Sequence, residues 1–242
     1  MAPRLILAAT LTLGLLASFD TPRAAPMDRL PRLVFWAWER PVDLRALPPD
    51  VAVAFLAQTI TATARAHIVL PRRQPLLVAP ATPLIAVTRI ETPGGDAADG
   101  QVDEIARAIA STMQLPRVAA VQVDFDATLS QRPMYRHLLY AVRRALPPAT
   151  PLSITALASW CMQDDWLGDL PIDEAVPMLF RMGPAEGPLR DTAADRLRAP
   201  ACRGAIGTSL DEPLAPSRGD KRRYVFNPRP WTPTAIAEAM HR

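Results

Sequence analysis

Two aspartates stand two residues apart at the end of an apolar run, in the segment Val121-Gln122-Val123-Asp124-Phe125-Asp126. Side chains alternate between the two faces of an extended strand, so Gln122, Asp124 and Asp126 share one face. Two carboxyl groups about 5 to 7 Å apart repel each other, which raises one pKa and lowers the other. The spacing therefore predicts a proton donor beside a carboxylate anion, the combination that general acid catalysis uses.

The position of this pair along its strand is also informative. The segment 127–132 that follows is short and polar, which puts the two aspartates at the C-terminal end of their strand. In parallel α/β folds, active sites lie at that end. A purely structural role is the alternative, in which one aspartate caps a turn and the other pairs with an arginine of the same fold.

Eight short apolar or alternating runs, bounded by proline, glycine or charged residues, predict eight strands. They are 33–38, 51–57, 84–91, 118–126, 152–158, 175–182, 205–210 and 222–227. A (β/α)8 or TIM barrel has eight strands and about 250 residues, and this chain has 242. We therefore expect an α/β barrel as a single domain over residues 26–242.

Only some connections between these strands have a helical pattern. The predicted helices are 101–114, 133–145, 187–199 and 233–241, so we expect a TIM-barrel-like fold with some outer helices short or missing. The segment 58–83 has a different pattern, because two apolar runs flank Arg72-Arg73-Gln74-Pro75. It predicts a hairpin or extra strands inserted after the second barrel strand.

Residues 1–25 have the pattern of a signal peptide. Arg4 precedes an apolar run from Leu5 to Ser18, and small residues follow at Ala24 and Ala25. The run is shorter than the roughly 20 residues of a membrane span, so we expect no stable span after removal of the signal and a periplasmic or secreted protein. The cleavage site is not defined by the sequence, and an uncleaved anchor stays open.

The two cysteines, Cys161 and Cys202, lie in the part that would be exported. An oxidising compartment permits a disulfide between them. In the predicted strand order, however, Cys161 follows the C-terminal end of one strand and Cys202 precedes the N-terminal end of another, so they lie at opposite ends of the barrel. A bridge needs Cα atoms within about 7 Å. The sequence leaves the disulfide open.

Composition and motifs exclude several classes of protein. The formal net charge is +3, and no basic helix with interleaved aromatic residues occurs, which argues against nucleic acid as a partner. The three histidines stand apart, and neither a nucleophile elbow nor a glycine-rich phosphate loop is present. We expect no metal and no cofactor.

The run from Ala119 to Asp126 resembles the strand-four signature of chitinase-type glycosidases, in which alternate acidic residues end in a catalytic glutamate. Here alanine and glutamine replace the first two aspartates, and Asp126 stands where the glutamate would be. The chain more closely resembles an exported bacterial family of unknown function whose members are similar to glycoside hydrolase barrels. The segments that carry this second resemblance, which covers most of residues 30–230, are 121–126, 152–160, 173–183 and 209–213. It implies a barrel fold and export, without an established reaction.

The resemblance to glycosidases implies further site residues at other strand ends. Arg181 stands where chitinase-type enzymes have an acid at the end of strand six, and we expect it to pair with Asp124 and Asp126 in a ligand site or in a structural ion bridge. Asp211 and Glu212 end strand seven, where many retaining glycosidases place a nucleophile. We favour Glu212 as that carboxylate because of its longer reach. A separation from Asp126 of about 5 Å would imply retention, and about 6.5 to 9.5 Å inversion.

Tryptophans near the predicted strand ends are candidates for binding sugars. Trp36, Trp38 and Trp160 could offer aromatic faces to the C–H surface of a sugar ring. Packing is the alternative, because Trp36 and Trp38 share a strand face and at least one should fill the barrel. We expect Trp166 to lie in the core.

Two hypotheses about function follow. In the first, the barrel is an exported glycoside hydrolase that acts on a carbohydrate, with Asp124, Asp126 and Glu212 as catalytic carboxylates. The ligand would be bound by Gln122, Arg181, Asp211 and the three tryptophans Trp36, Trp38 and Trp160. In the second, it is a catalytically inactive module of the cell envelope that binds a carbohydrate or a protein. The sequence leaves open the substrate, the anomeric outcome and the oligomeric state, and fold alone does not decide activity.

Overall fold

A closed barrel of eight parallel strands forms the body of the protein. The computed structural model describes residues 26–93, 99–183, 190–212, 214 and 220–241. Its strands are β1 (Leu33–Ala37), β2 (Val42–Leu44), β3 (Val51–Ala62), β4 (His67–Pro71), β5 (Leu76–Val78), β6 (Leu84–Glu91), β7 (Val118–Asp124), β8 (Leu152–Leu157), β9 (Glu174–Met178), β10 (Ala205–Ser209) and β11 (Arg222–Phe226). The barrel order is β1, β3, β6, β7, β8, β9, β10, β11, and β11 pairs back to β1 in parallel. All eight predicted strands are present, which confirms the TIM-like α/β barrel.

Few helices surround the barrel, as the sequence predicts. The helices are α1 (Val102–Ser111), α2 (Arg132–Ala145), α3 (Ala158–Met162), α4 (Arg190–Ala193) and α5 (Pro233–His241). The apolar stripes of α1 and α2 pack on the outer face of the barrel, and the hydroxyl of Thr232 accepts a hydrogen bond from the Ala235 amide at the start of α5. The helix predicted at 187–199 ends early, since α4 stops at Ala193 and residues 194–199 are not helical; residues 184–189 lie outside the described part. No described helix is long and apolar enough to cross a membrane.

Alternation along the strands separates the barrel interior from its outer surface. One cluster of buried residues fills the interior, including Val34, Trp36, Val87 and Tyr224. Two other clusters cover the outside, one beneath α1 and α2 and one between β2, β3 and α5. Side chains therefore fill the barrel as a packed core rather than a pore, and a site has room only at its ends.

The segment after β3 forms extra strands. β3 continues beyond the barrel, and β4 pairs antiparallel with its extension, with Ala62 opposite His67 and Gln58 opposite Pro71. β5 instead pairs in parallel with β2. The two runs therefore belong to two different sheets and do not pair with each other as a hairpin. Of the two arrangements that the sequence allows, the extra strands are present.

A buried ion pair closes the N-terminal end of the barrel. The guanidinium of Arg222 donates to the carboxylate of Glu174, and the hydroxyl of Tyr224 donates to the same carboxylate at 2.9 Å. Burial raises the pKa of Glu174, and the charge of Arg222 opposes that rise. Arg222 also donates to the backbone carbonyls of Met27, Leu30 and Pro31. It thereby joins the chain segment that leads into β1 to the barrel floor.

We expect Arg222→Met to lower the free energy of unfolding by about 3 to 5 kcal/mol, because it leaves the Glu174 carboxylate buried without its cation. Urea denaturation measures the change. Arg65→Met, at an exposed position, serves as the control. A loss for Arg222→Met no larger than for the control would contradict the assigned role.

A disulfide joins Cys161 to Cys202, with their Cα atoms 5.9 Å apart. The two cysteines meet because the chain before β10 runs along the outer face of the barrel as far as α3. There the amides of Arg198 and Ala199 donate to the carbonyl of Cys161 at 2.8 and 3.3 Å. The bridge that the sequence leaves open is therefore formed in the structure.

Replacing both cysteines with serine should lower the free energy of unfolding by about 4 kcal/mol, the loop-entropy value for the 41-residue separation of the cysteines. Thermal unfolding of the wild type with and without a reductant, beside the double variant, measures this. The reductant should destabilise the wild type and leave the double variant unchanged. Equal melting temperatures for the oxidised wild type and the variant would contradict the prediction.

Candidate functional site

A cavity of about 610 Å³ opens at the C-terminal end of the barrel strands. It lies where the sequence predicts a site, beside the end of β7. Its described lining residues come from the ends of several strands and the turns after them: Trp38, Arg89, Asp124, Asp126, Leu157, Ala158, Ser159, Met178, Phe180, Arg181, Met182, Gly183 and Phe226. Most of the wall is apolar, with two carboxyl groups and two guanidinium groups set into it.

Asp124 is a buried carboxylate held by two neighbouring strands. Arg89 Nη1 donates to Asp124 Oδ2 at 2.9 Å, and Thr155 Oγ1 donates to Asp124 Oδ1 at 2.6 Å. β6 and β8 flank β7 in the barrel, and Arg89 stands directly opposite Asp124 in the register. Both carboxylate oxygens therefore have a donor, which fixes the group at the floor of the cavity.

Asp126 lies two residues further on and is exposed at the cavity surface. Its pKa is raised from the ordinary value of 3.8, chiefly because surrounding protein atoms desolvate it and then because Asp124 repels a second negative charge. The charge of Arg89 opposes the rise. The direction agrees with the sequence-based expectation that one carboxyl of the pair holds its proton more tightly than usual.

Arg89 takes the role that the sequence analysis assigned to Arg181. Arg181 has a positive φ of 51° and lies at the cavity mouth, where its guanidinium contacts Asp211 Oδ2 at 3.2 Å. Its backbone amide donates to Glu212 Oε2 at 2.9 Å. Arg181 therefore pairs with the turn after β10, and the expectation that it pairs with Asp124 and Asp126 is wrong: Arg89 is the arginine that contacts Asp124 and whose charge acts on Asp126.

Sequence reasoning missed Arg89, although a signal was available. Val87 and Arg89 alternate along β6 toward its C-terminal end, so Arg89 had to face inward if Val87 did. Whether the Arg89 side chain lies at the same height along the barrel axis as Asp124 depends on the register between β6 and β7. Alternation of residues along a strand does not give that register.

Asp211 and Glu212 form a turn outside the described cavity wall. Ser209 donates a hydrogen bond from its hydroxyl to Asp211, which is the main reason that the pKa of Asp211 is lowered, and the charge of Arg181 adds to this effect. Glu212 bonds back to Ser209 through its own amide. Neither carboxylate lies among the described lining residues, so the expected position of Glu212 opposite Asp126 is corrected.

Three residues expected to bind ligand are instead buried in the protein. Trp36 and Gln122 lie inside the barrel, where Trp36 Nε1 donates to Gln122 Oε1 at 3.1 Å and Gln122 Nε2 donates to Ser153 Oγ at 3.0 Å. Trp160 is buried on the outer side, with its ring 4.9 Å from that of Trp166. These side chains offer no surface to a ligand, and Trp166 packs against the outer core as expected.

Trp38 is the predicted tryptophan that reaches the cavity, and Phe180 and Phe226 join it there. The Trp38 and Phe226 ring centroids are 6.3 Å apart, and those of Phe180 and Phe226 are 4.9 Å apart. Gly207 makes room for Phe226, because a Cβ at that position would approach Phe226 Cε2 to 3.2 Å. The two phenylalanines were missed, since a single aromatic residue at a strand end is equally typical of core packing.

The arrangement sets a protonatable carboxyl and a fixed carboxylate against an apolar, aromatic wall. Such a site can donate a proton to a bound ligand and stabilise positive charge that develops nearby. Among the described residues, no group of three histidine, cysteine, aspartate or glutamate side chains is arranged to hold a metal ion.

No protein-family model and no curated protein matches this chain. Among solved structures, it is similar to the chitinase domain of the spore coat protein CotE from Clostridium difficile, with 12% sequence identity and a TM-score of 0.44. The similarity covers 68% of this chain and 56% of that chain, so it spans little more than half of the solved structure. The barrel fold rests on the closed strand pairing described above.

We expect two substitutions beside Asp126 to move its pKa in opposite directions. Arg89→Met should raise it further by removing a nearby cation, and Asp124→Asn should lower it by removing a nearby anion. Titration followed by the ¹³C NMR signal of the Asp126 carboxyl measures both shifts. Asp165→Asn, at an exposed position after α3, is the control and should leave the pKa unchanged. Shifts of the same sign in the first two variants would contradict the assigned electrostatics.

Proposed function

We propose that this protein is an exported glycoside hydrolase that binds a carbohydrate in the cavity and cleaves a glycosidic bond with Asp126 as the acid. The observation that supports this proposal most is the pairing of Asp126, whose pKa is raised, with the fixed Asp124 carboxylate two residues away. Two adjacent carboxyl groups with different affinities for a proton are a recurring feature of glycosidases.

The chemistry follows from these two groups. Protonated Asp126 donates its proton to the glycosidic oxygen as the bond from that oxygen to the anomeric carbon breaks. Positive charge then develops on the sugar ring, and the Asp124 carboxylate stabilises it electrostatically. A water molecule finally adds to the anomeric carbon and returns a proton to Asp126, which restores the resting state.

The nucleophile in this scheme is water or a group of the substrate itself. Asp124 and Asp126 are the two carboxylates among the described lining residues, and they lie on the same strand end rather than facing each other across the cavity. A covalent intermediate on an opposing carboxylate would require a partner that is absent from the described part of this wall. Hydrolysis without a covalent intermediate on the enzyme fits the described arrangement better.

The aromatic wall supports a carbohydrate as the ligand. Trp38, Phe180 and Phe226 present ring surfaces to the same space as the two aspartates. The C–H faces of a pyranose pack against such rings while its hydroxyl groups reach carboxylates and guanidinium groups. Export is part of the proposal, and both the signal-like residues 1–25 and the Cys161–Cys202 bridge support it.

A carbohydrate-binding module without catalysis is the second candidate. It is favoured by the absence of an opposing carboxylate from the described wall and by the shorter reach of Asp126 compared with a glutamate. This candidate differs from the first in one outcome: saturable binding of a glycan without release of product.

If Asp126 is the acid, Asp126→Asn should lower kcat by a factor of about 10² to 10⁴ and leave the fold intact. Reducing-sugar release from a panel of bacterial envelope glycans and exopolysaccharides measures activity, and circular dichroism checks the fold. Asp165→Asn is the control. Undiminished activity in Asp126→Asn would overturn the assignment. Glycan binding without release of product by the wild type would favour the second candidate.

The same assignment fixes how the activity depends on pH. The acid must be protonated, so activity should decline as pH rises through the pKa of Asp126. Because that pKa lies above 3.8, the decline should begin at a higher pH than for an ordinary aspartate. Any activity left in Arg89→Met should decline at a still higher pH, since removing the cation raises this pKa further.

A further inference from the structure

Trp38 lines the cavity from a position just beyond the barrel. The paired part of β1 ends at Ala37, so the strand ladder does not hold Trp38. Its ring leans on Trp36, with ring centroids 4.2 Å apart, and faces Phe226. The backbone of Trp38 therefore needs other contacts to keep the ring at the cavity wall.

The amide of Arg40 donates to the Trp38 carbonyl at 2.8 Å, and Arg72, which directly follows the inserted strand β4, supplies the contacts that tie this turn to the rest of the protein. Its Nη1 donates to the carbonyl oxygens of Trp38 at 2.8 Å and Leu56 at 3.3 Å, and its Nη2 donates to the carbonyl of Arg40 at 2.6 Å. Its Nε donates to the carbonyl of Gln74 at 2.9 Å. The Arg72 side chain is only 8% exposed, and one guanidinium thus joins β3, the inserted segment and the turn after β1.

Glu39 completes the connection from the other side. Its Oε1 accepts hydrogen bonds from the amides of Arg73 at 2.8 Å and Gln74 at 3.1 Å, and its Oε2 lies 3.7 Å from Arg72 Nη1. The amide of Arg72 also donates to the carbonyl of Ala57 at 2.8 Å. The turn that carries Trp38 and the inserted segment therefore hold each other in place.

We propose that Arg72 is a positioning residue that fixes Trp38 as the stacking surface for a sugar, so that the inserted segment 67–78 sets the affinity for the ligand. This inference rests on the proposed function. The positioning role requires arginine at position 72, because the planar guanidinium directs donors at four carbonyl groups at once. The ammonium of a lysine has three donors at a single point. The segment contributes no group to the acid chemistry, so kcat should be nearly independent of it.

Acrylamide quenching of tryptophan fluorescence tests the positioning without any ligand. Arg72→Met keeps the aliphatic stem and removes the donors. Its tryptophan emission should therefore be quenched more strongly than that of the wild type. The same substitution in a Trp38→Phe background should produce no increase. Arg73→Met, at the adjacent exposed position, is the matched control and should behave as the wild type. An unchanged quenching constant in Arg72→Met would overturn the proposed positioning.

Affinity for the glycan found in the panel described above tests the role of the platform. Arg72→Met and Trp38→Ala should each raise KM, or Kd if there is no turnover, by about tenfold. Arg72→Met should change kcat by less than about twofold, and Arg73→Met should change neither quantity. A changed Trp38 environment with wild-type affinity would overturn the role in binding. A wild type that binds no glycan would overturn the proposed function and the sugar platform, while the quenching result still decides whether Arg72 positions Trp38.

Arg72→Lys keeps the test decisive if Arg72→Met does not fold. This variant retains the charge and fewer of the donors, and it should show intermediate quenching and an intermediate rise in KM or Kd. If lysine reproduces the wild type in both measurements, the proposed requirement for the planar guanidinium is wrong.

Discussion

The buried carboxylate of Asp124 is the constraint on which the arrangement of the cavity depends. A charge at this depth is stable only if both oxygens are bonded, and the adjacent strands β6 and β8 provide Arg89 and Thr155 at the same level. The parallel register that closes the barrel also brings these three residues together. The pKa of Asp126 depends on this carboxylate in part, because a fixed negative neighbour adds to the larger effect of desolvation and raises that pKa further.

The two ends of the barrel use ion pairs for different purposes. At the N-terminal end, Arg222 and Glu174 are almost completely enclosed, and the remaining donors of Arg222 bind the backbone of the entering chain. At the C-terminal end, the guanidinium of Arg89 is one-third exposed and Asp126 faces the open cavity. The enclosed pair holds the entering chain to the barrel, whereas the Arg89–Asp124 pair lies beside Asp126, a titratable group that stays accessible from the cavity. Between them, packed side chains such as Trp36 and Gln122 separate the two charged layers.

The fold could be predicted from sequence because each barrel strand is a short apolar run with clear boundaries. Alternation also identified the shared face of Gln122 and Asp124. It does not give depth, however, and Gln122 lies one layer too low to meet a ligand. Depth and contact depend on register between strands and on the path of each turn. That is why Arg89 was missed and why Glu212 was expected inside the cavity, where its turn does not lead.

The disulfide likewise depends on the path of a loop, because Cys202 reaches Cys161 only where the chain before β10 crosses the outer face toward α3. The resulting bridge encloses β9 in a covalent ring that runs from Cys161 to Cys202. A single cut of the backbone anywhere within that ring leaves the two fragments linked. A chain nicked there by a protease would keep both halves of its barrel together, so that their strands can remain paired.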